Sequence, residues 1–228
     1  MRTWALLLAS LVPAAGLSAA EPGRAEYAVR WDPAQGGPGS ARELLTFLGA
    51  SGSGGQAYAV RYFDFPRPAS APPDATPILR LRTPENGKAE VRLKYRTDQP
   101  LRDSWACPDG ARFKKSEEVD VVFGSAAKPA RVYAYSCTHN GKAPPGILGA
   151  TPKSCAARMV RYQHAGDKIE EWTLPGGAVR LEVSRTVSND AEHEAKFGEL
   201  VERLRARGVK PLDESKTELG SRCPEAKP

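Results

Sequence analysis

Over residues 88–96 the chain alternates with a period of two. Lys88, Glu90, Arg92, Lys94 and Arg96 fall on one face, and Ala89, Val91, Leu93 and Tyr95 fall on the other. Successive side chains of a strand point to opposite sides, so only a β-strand gathers these apolar residues onto one surface. Just upstream, Leu79 and Leu81 alternate with Arg80 and Arg82, and Pro84-Glu85-Asn86-Gly87 joins the two runs. Asn-Gly accepts the positive φ of a tight turn, which predicts that residues 78–82 and 88–96 pair as an antiparallel hairpin. Both strands then present one basic face and one apolar face.

The rest of the chain supports a mainly β architecture with some helix, an α+β arrangement. Gly (21) and Pro (20) are abundant and aromatic residues make up only 7%, a balance that suits short strands joined by turns. Further strands are expected at 25–31, 56–65, 117–123, 131–137, 157–164, 168–174 and 178–187. The turn Pro175-Gly176-Gly177 makes the last two a hairpin. Residues 66–77 carry five prolines and are expected to be irregular. A short helix follows Ser40, with Leu44, Leu45, Phe47 and Leu48 on one side, and the glycines of 49–55 stop it. One long amphipathic helix runs over about 190–207, with Phe197, Leu200, Val201 and Leu204 on its buried stripe, Asn189 or Asp190 as cap and Gly208 as stop. No repeat and no long linker divides residues 21–228, which read as one domain.

A single basic strand face is most simply a wetted outer surface. Two paired strands with the same basic face, together with Glu118 and Asp120 alternating on another strand, fit a closed barrel with a charged lumen better. Such a lumen would take an anion, Arg gripping phosphate oxygens in pairs and Lys acting as a point charge.

Residues 1–20 read as a signal peptide. Arg2 gives the positive start, residues 4–12 are an apolar run too short to span a bilayer, and Ser18-Ala19-Ala20 offers the small residues of a cleavage site after Ala20. That predicts export to a periplasmic or extracellular location, with no membrane attachment after cleavage. In an oxidising compartment, Cys107, Cys137, Cys155 and Cys223 are expected to form two disulfides. Of the three pairings open to them, Cys137 with Cys155 would close the Pro-containing loop between them and leave Cys107 for Cys223. Neither Cys-x-x-Cys nor a His ligand spacing is present.

The order of Glu26-Tyr-Ala-Val-Arg30, a short helix, Tyr62-Phe-Asp-Phe65, Leu79-Arg-Leu-Arg82, Arg92-Leu-Lys94, Ile169-Glu-Glu171, Leu181-Glu-Val-Ser184, a long helix and Glu214-Ser-Lys-Thr-Glu-Leu-Gly220 resembles the CYTH domain of the triphosphate tunnel metalloenzymes. The resemblance spans nearly all of residues 21–228. It implies an eight-stranded antiparallel tunnel, in which bases hold a triphosphate and carboxylates hold Mg or Mn. By position, Arg30, Arg80, Arg82, Lys94, Lys216 and either Arg158 or Arg161 would be the phosphate-binding bases. Glu26 and Glu182 would be family carboxylates, with Glu118, Asp120, Glu170 and Glu171 as candidates to supplement them. The sequence departs from the family where Ala28 and Ser184 replace carboxylates and Phe65 replaces a threonine.

Other chemistries find no motif. The chain lacks a phosphate loop and a nucleophile elbow; its net charge of +6 is all that points to nucleic acid, and with export expected, no nucleic-acid partner is predicted. Two functions follow. One is a tunnel protein that binds a triphosphate or polyphosphate with weak or no catalysis; the other is an active metal-dependent triphosphatase.

Overall fold

The structure, a computed structural model, describes residues 21–50, 54–101, 105–109 and 112–224. The expected signal segment, residues 1–20, lies outside the described residues. In chain order the elements are β1 (Arg24–Trp31), α1 (Ala41–Phe47), β2 (Gln56–Asp64), β3 (Thr76–Pro84), β4 (Glu90–Thr97), β5 (Lys114–Phe123) and β6 (Ala130–Asn140). They continue with β7 (Thr151–Pro152), β8 (Ala157–His164), β9 (Asp167–Thr173), β10 (Val179–Ser188), α2 (Ala191–Arg205) and α3 (Lys216–Ser221).

The sheet closes on itself in the order β3-β4-β6-β5-β1-β10-β9-β8-β2, with β2 pairing back to β3. The ring therefore has nine strands where eight were expected, and the two-residue β7 lies beside β2. All ring neighbours are antiparallel except β1 and β5, which run parallel with Glu26 opposite Asp120. Closure leaves the ring without a free edge.

Both predicted hairpins form, β3 with β4 and β9 with β10. Strand β3 starts earlier than expected and includes Pro77. Its pairing with β2 begins only at Leu79, so at Pro77 one side of the strand has no ladder to lose.

The apolar side of this wall faces outwards. Helix α2 covers β1, with Phe197 stacked on Tyr27 at 6.0 Å between ring centroids and also packed on Phe123. The segment between β4 and β5 covers the other flank, where Trp105 meets Tyr95 and Tyr135 edge-on. Both helices have the expected caps, Ser40 accepting from the Glu43 amide and Asp190 from the His193 amide.

Two disulfides are present, but their pairing is Cys107–Cys137 and Cys155–Cys223. The expected Cys137–Cys155 bond is ruled out by the ring order. Cys137 lies on the outer face of β6, and β4, β3 and β2 separate that strand from β8, which follows Cys155. Cys107 belongs to the segment that pads β6, and Cys223 follows α3, which packs on β2 beside β8.

Candidate functional site

Where a strand packs its apolar residues outwards, as β1, β3 and β4 do, the alternate residues turn into the lumen; on β2 and β8 the inward set is itself partly apolar, with Val60, Tyr62, Ala157 and Met159 clustered around Trp172. Register fixes the set. Glu26, Ala28 and Arg30 of β1 lie opposite Thr186, Ser184 and Glu182 of β10, and Glu182 lies opposite Glu170 of β9. Glu170 in turn faces Arg161 of β8. Across the ring, Arg80 of β3 pairs with Arg92 of β4, and Lys94 lies opposite Ser136 of β6.

At one end the tail enters the barrel. Pro211 bridges to Trp31, the Leu212 amide donates to the Arg30 carbonyl at 2.8 Å, and Ser215 and Glu218 form a capping box that starts α3. Gly220 lies so close to Tyr62 that a Cβ would stand 3.0 Å from its ring. This seats the Lys216 ammonium 2.6 Å from Glu182 and 3.2 Å from Glu170. Arg30 holds the other Glu182 oxygen at 3.0 Å, and Arg161 Nε donates to Glu170 at 2.9 Å. Glu170 and Glu182 are only 1% exposed, and each is matched by two cations.

A second carboxylate group lies further along β1, away from the tail. Glu26, Glu118 and Asp120 bring one oxygen each within 4.8 Å of one another, an arrangement that could hold a metal ion. Carboxylate oxygens are the donors that Mg and Mn prefer. In charge terms the group is already satisfied: Lys94 Nζ lies 2.9 Å from Asp120 and 3.2 Å from Glu118, Arg96 Nη2 lies 3.2 Å from Asp120, and Lys168 Nζ lies 3.0 Å from Glu26.

The opposite imbalance occurs on β3 and β4. Arg80 and Arg92 are direct cross-strand partners, a like-charge placement that costs stability. Arg80 has no ion pair among the described residues, Arg92 has one with Glu90 at 3.3 Å, and the buried Nε groups of Arg82, Arg92 and Arg96 have no hydrogen-bond partner. These four arginines line a chamber of about 130 Å³ that also receives Lys94, Arg161, Lys168 and Lys216, with Glu26 as its one carboxylate among the described residues. It lies beside a wider vestibule of about 470 Å³, walled partly by Ala28, Val122 and Val132.

Protonation follows from this layout. Burial, with Arg80 and Arg161 nearby, pushes Arg82 down to about 9. Burial is the larger cause, the two arginines add to it and Glu170 and Glu90 partly offset it; guanidinium stays charged in proteins, so the direction marks a site where holding that charge is costly. Burial alone would raise Glu170, but Lys216, Arg161 and Arg82 hold it well below the carboxylate range. Burial is likewise outweighed at Glu26 by Lys216, Lys168 and Lys94. Burial would lower Lys216, yet Glu170, Glu182 and Glu26 raise it.

These directions set a pH window. The lowered carboxylates contribute stability that is complete above their unfolded value of about 4.3 and is lost as pH falls through the folded values. Lys216 contributes below its unfolded value of about 10.4, and that part is lost as pH rises through its raised value. Thermal melts followed by circular dichroism should therefore show a plateau from about pH 5 to 9, with losses beginning only outside it. A decline already under way between pH 5 and 7 would contradict this assignment.

The structure brings together Arg30, Arg80, Arg82, Lys94, Arg161, Lys216, Glu26, Glu118, Asp120 and Glu182 in the lumen. Two expected residues stand elsewhere. Arg158 points out of the barrel towards Glu85 at 3.9 Å, because position 161 has the inward parity of β8. Glu171 faces outwards for the same reason and accepts from the Ala41 amide at 2.8 Å at the start of α1; its neighbour Glu170 is the lumen residue. Glu182 is in the lumen but apart from the acidic triad, committed to Arg30 and Lys216. Lys168 was not singled out, although it shares the period-two face of Glu170.

No known protein family matches the chain, and no curated protein does. Among solved structures it is similar to the PH1012 and PH1819 proteins of Pyrococcus horikoshii OT3, at 16% and 15% identity. Both have a TM-score of 0.48 over 85% of this chain, covering 98% and 97% of theirs. It is also similar to a protein of Vibrio parahaemolyticus described as a "putative adenylate cyclase", at 11% identity and a TM-score of 0.46, over 88% of this chain and 98% of that one. The tunnel's own residues, rather than these likenesses, carry the functional reading.

Proposed function

We propose that this is an exported CYTH-like tunnel protein that binds a polyanion of the triphosphate or polyphosphate kind, with weak or no catalysis. The observation that carries the reading is the cross-strand pair Arg80 and Arg92, flanked by Arg82, with the buried Nε donors of Arg82 and Arg92 left unused beside the chamber. Buried donors without partners and like charges in register both cost free energy. A bound phosphate chain would remove both costs, and charge-assisted contacts are the strong class of hydrogen bond. Export is supported by the two disulfides, which suit an oxidising compartment. No described helix is long and apolar enough to cross a membrane.

Weak catalysis fits the carboxylates. In-line hydrolysis assisted by metal relies on carboxylates to place the ion beside the transferring group. Here Ala28 and Ser184 are lumen neighbours that carry none. The acidic triad is the specific observation that favours the alternative, an active Mg- or Mn-dependent triphosphatase.

Calorimetric titration of residues 21–228 with tripolyphosphate, with and without magnesium, tests both readings. Binding is expected under both conditions, with negligible phosphate release. Arg80→Ala and Arg82→Ala should each weaken it about tenfold or more, the loss of one charge-assisted contact. Neither should cost much stability, because each relieves like-charge crowding. Unchanged affinity in both variants would remove the anion from the chamber, and robust metal-dependent hydrolysis would replace the binding reading with the enzymatic one.

A further inference from the structure

We infer that Lys94 is the resident cation of the acidic triad, so that the ammonium takes the place of a divalent metal and the tunnel's anion binding does not depend on one. The second half rests on the function proposed above; the first half stands on geometry alone.

Lys94 belongs to β4, whereas Glu118 and Asp120 belong to β5, with β6 between them. The side chain crosses that intervening strand, and β6 makes room for it. Ser136 lies directly opposite Lys94, and Ala134 lies opposite both Arg96 and Glu118, so only small side chains stand in the path. Lys94 Nζ ends 3.1 and 2.9 Å from the two Asp120 oxygens and 3.2 Å from Glu118. An ammonium has three donors, and three carboxylate oxygens lie in reach of them.

Charge points the same way. Glu26, Glu118 and Asp120 are matched by Lys94, Arg96 and Lys168 through direct ion pairs. A divalent ion added to that balanced set would bring two further positive charges to the edge of the chamber that Glu26 shares with Arg80, Arg82 and Arg92, where like charges already stand in register. Ammonium and metal are therefore competing occupants of one carboxylate cluster.

Manganese binding, followed by electron paramagnetic resonance without any anion, tests the assignment. Lys94→Met keeps an unbranched side chain and removes the charge. The wild-type protein should bind Mn²⁺ weakly, and the variant should bind it about tenfold tighter or more, the effect of removing one adjacent positive charge. Stoichiometric Mn²⁺ binding by the wild-type protein would overturn the assignment, and that arm stands even where the variant fails to fold. A folded variant that binds Mn²⁺ no better than wild type would overturn it too. For the anion arm, tripolyphosphate affinity should be the same in EDTA as in magnesium, and a tenfold dependence on magnesium would refute metal independence. Absence of tripolyphosphate binding under both conditions would overturn the proposed ligand and the anion half of the inference, leaving the manganese result to decide the role of Lys94.

Discussion

Glu182→Ala is expected to destabilise the fold by about 3–5 kcal/mol, the cost of removing one partner from a buried ion pair. Glu182 is 1% exposed and is shared by Arg30 and Lys216, and Arg30 is itself only 6% exposed. Removal therefore strands a buried guanidinium and leaves the Lys216 ammonium with Glu170 alone. For a domain of this size the melting temperature should fall by roughly 10 °C. The double variant Arg30→Met/Glu182→Met should recover most of the loss, since apolar replacement of a complete buried pair is often close to neutral. A single-variant loss under 1 kcal/mol in urea unfolding would mean that Arg30 finds water or another carboxylate.

The second large effect is expected at the Cys155–Cys223 bond. The two cysteines are 68 positions apart, and loop-closure entropy gives about 4.4 kcal/mol for a cross-link of that span. The Cys107–Cys137 bond spans 30 positions and gives about 3.6 kcal/mol by the same relation. The longer bond also acts locally, because it anchors the residue just beyond α3, and α3 carries Lys216 into the lumen. Replacing Cys155 and Cys223 by Ser should lower global stability and also expose residues 211–224 to limited proteolysis under native conditions, while the barrel strands stay protected. Equal protection of that segment in both proteins would show that α3 is held by packing and by its ion pairs rather than by the bond.

Much of the tunnel was legible because period two is a strong signal. The alternation in residues 88–96 and 79–82 placed Arg80, Arg82, Arg92 and Lys94 on one face, and the ring confirms that placement. The same rule, applied at one position rather than along a whole strand, left Arg158 beside Arg161 as an open choice and admitted Glu171. On β8 and β9 neighbouring residues of similar chemistry occupy opposite faces, so composition cannot separate them and register must. Helix α3 was missed although Ser215-Lys-Thr-Glu218 is a capping-box pattern, because a six-residue helix has too few turns to show an apolar stripe. The disulfide pairing was not legible at all. It depends on which loop lies over which outer face of the ring, and that follows from strand order, which no local pattern encodes.

The place of β1 between β5 and β10 has a consequence for how the chain is made. During synthesis β1 acquires its parallel neighbour only after residue 123 has appeared, and its antiparallel neighbour only after residue 188. Before residue 123 it has neither flanking strand, and its apolar face, Tyr27, Val29 and Trp31, stays uncovered until α2 has followed β10. Contacts so distant in sequence form slowly. The wall therefore cannot be sealed progressively from the N-terminus. The half-made chain must be kept from sticking to its neighbours until nearly its whole length is out, so a holding factor that shields exposed apolar strands should raise the yield of folded protein more than one that speeds any single local step.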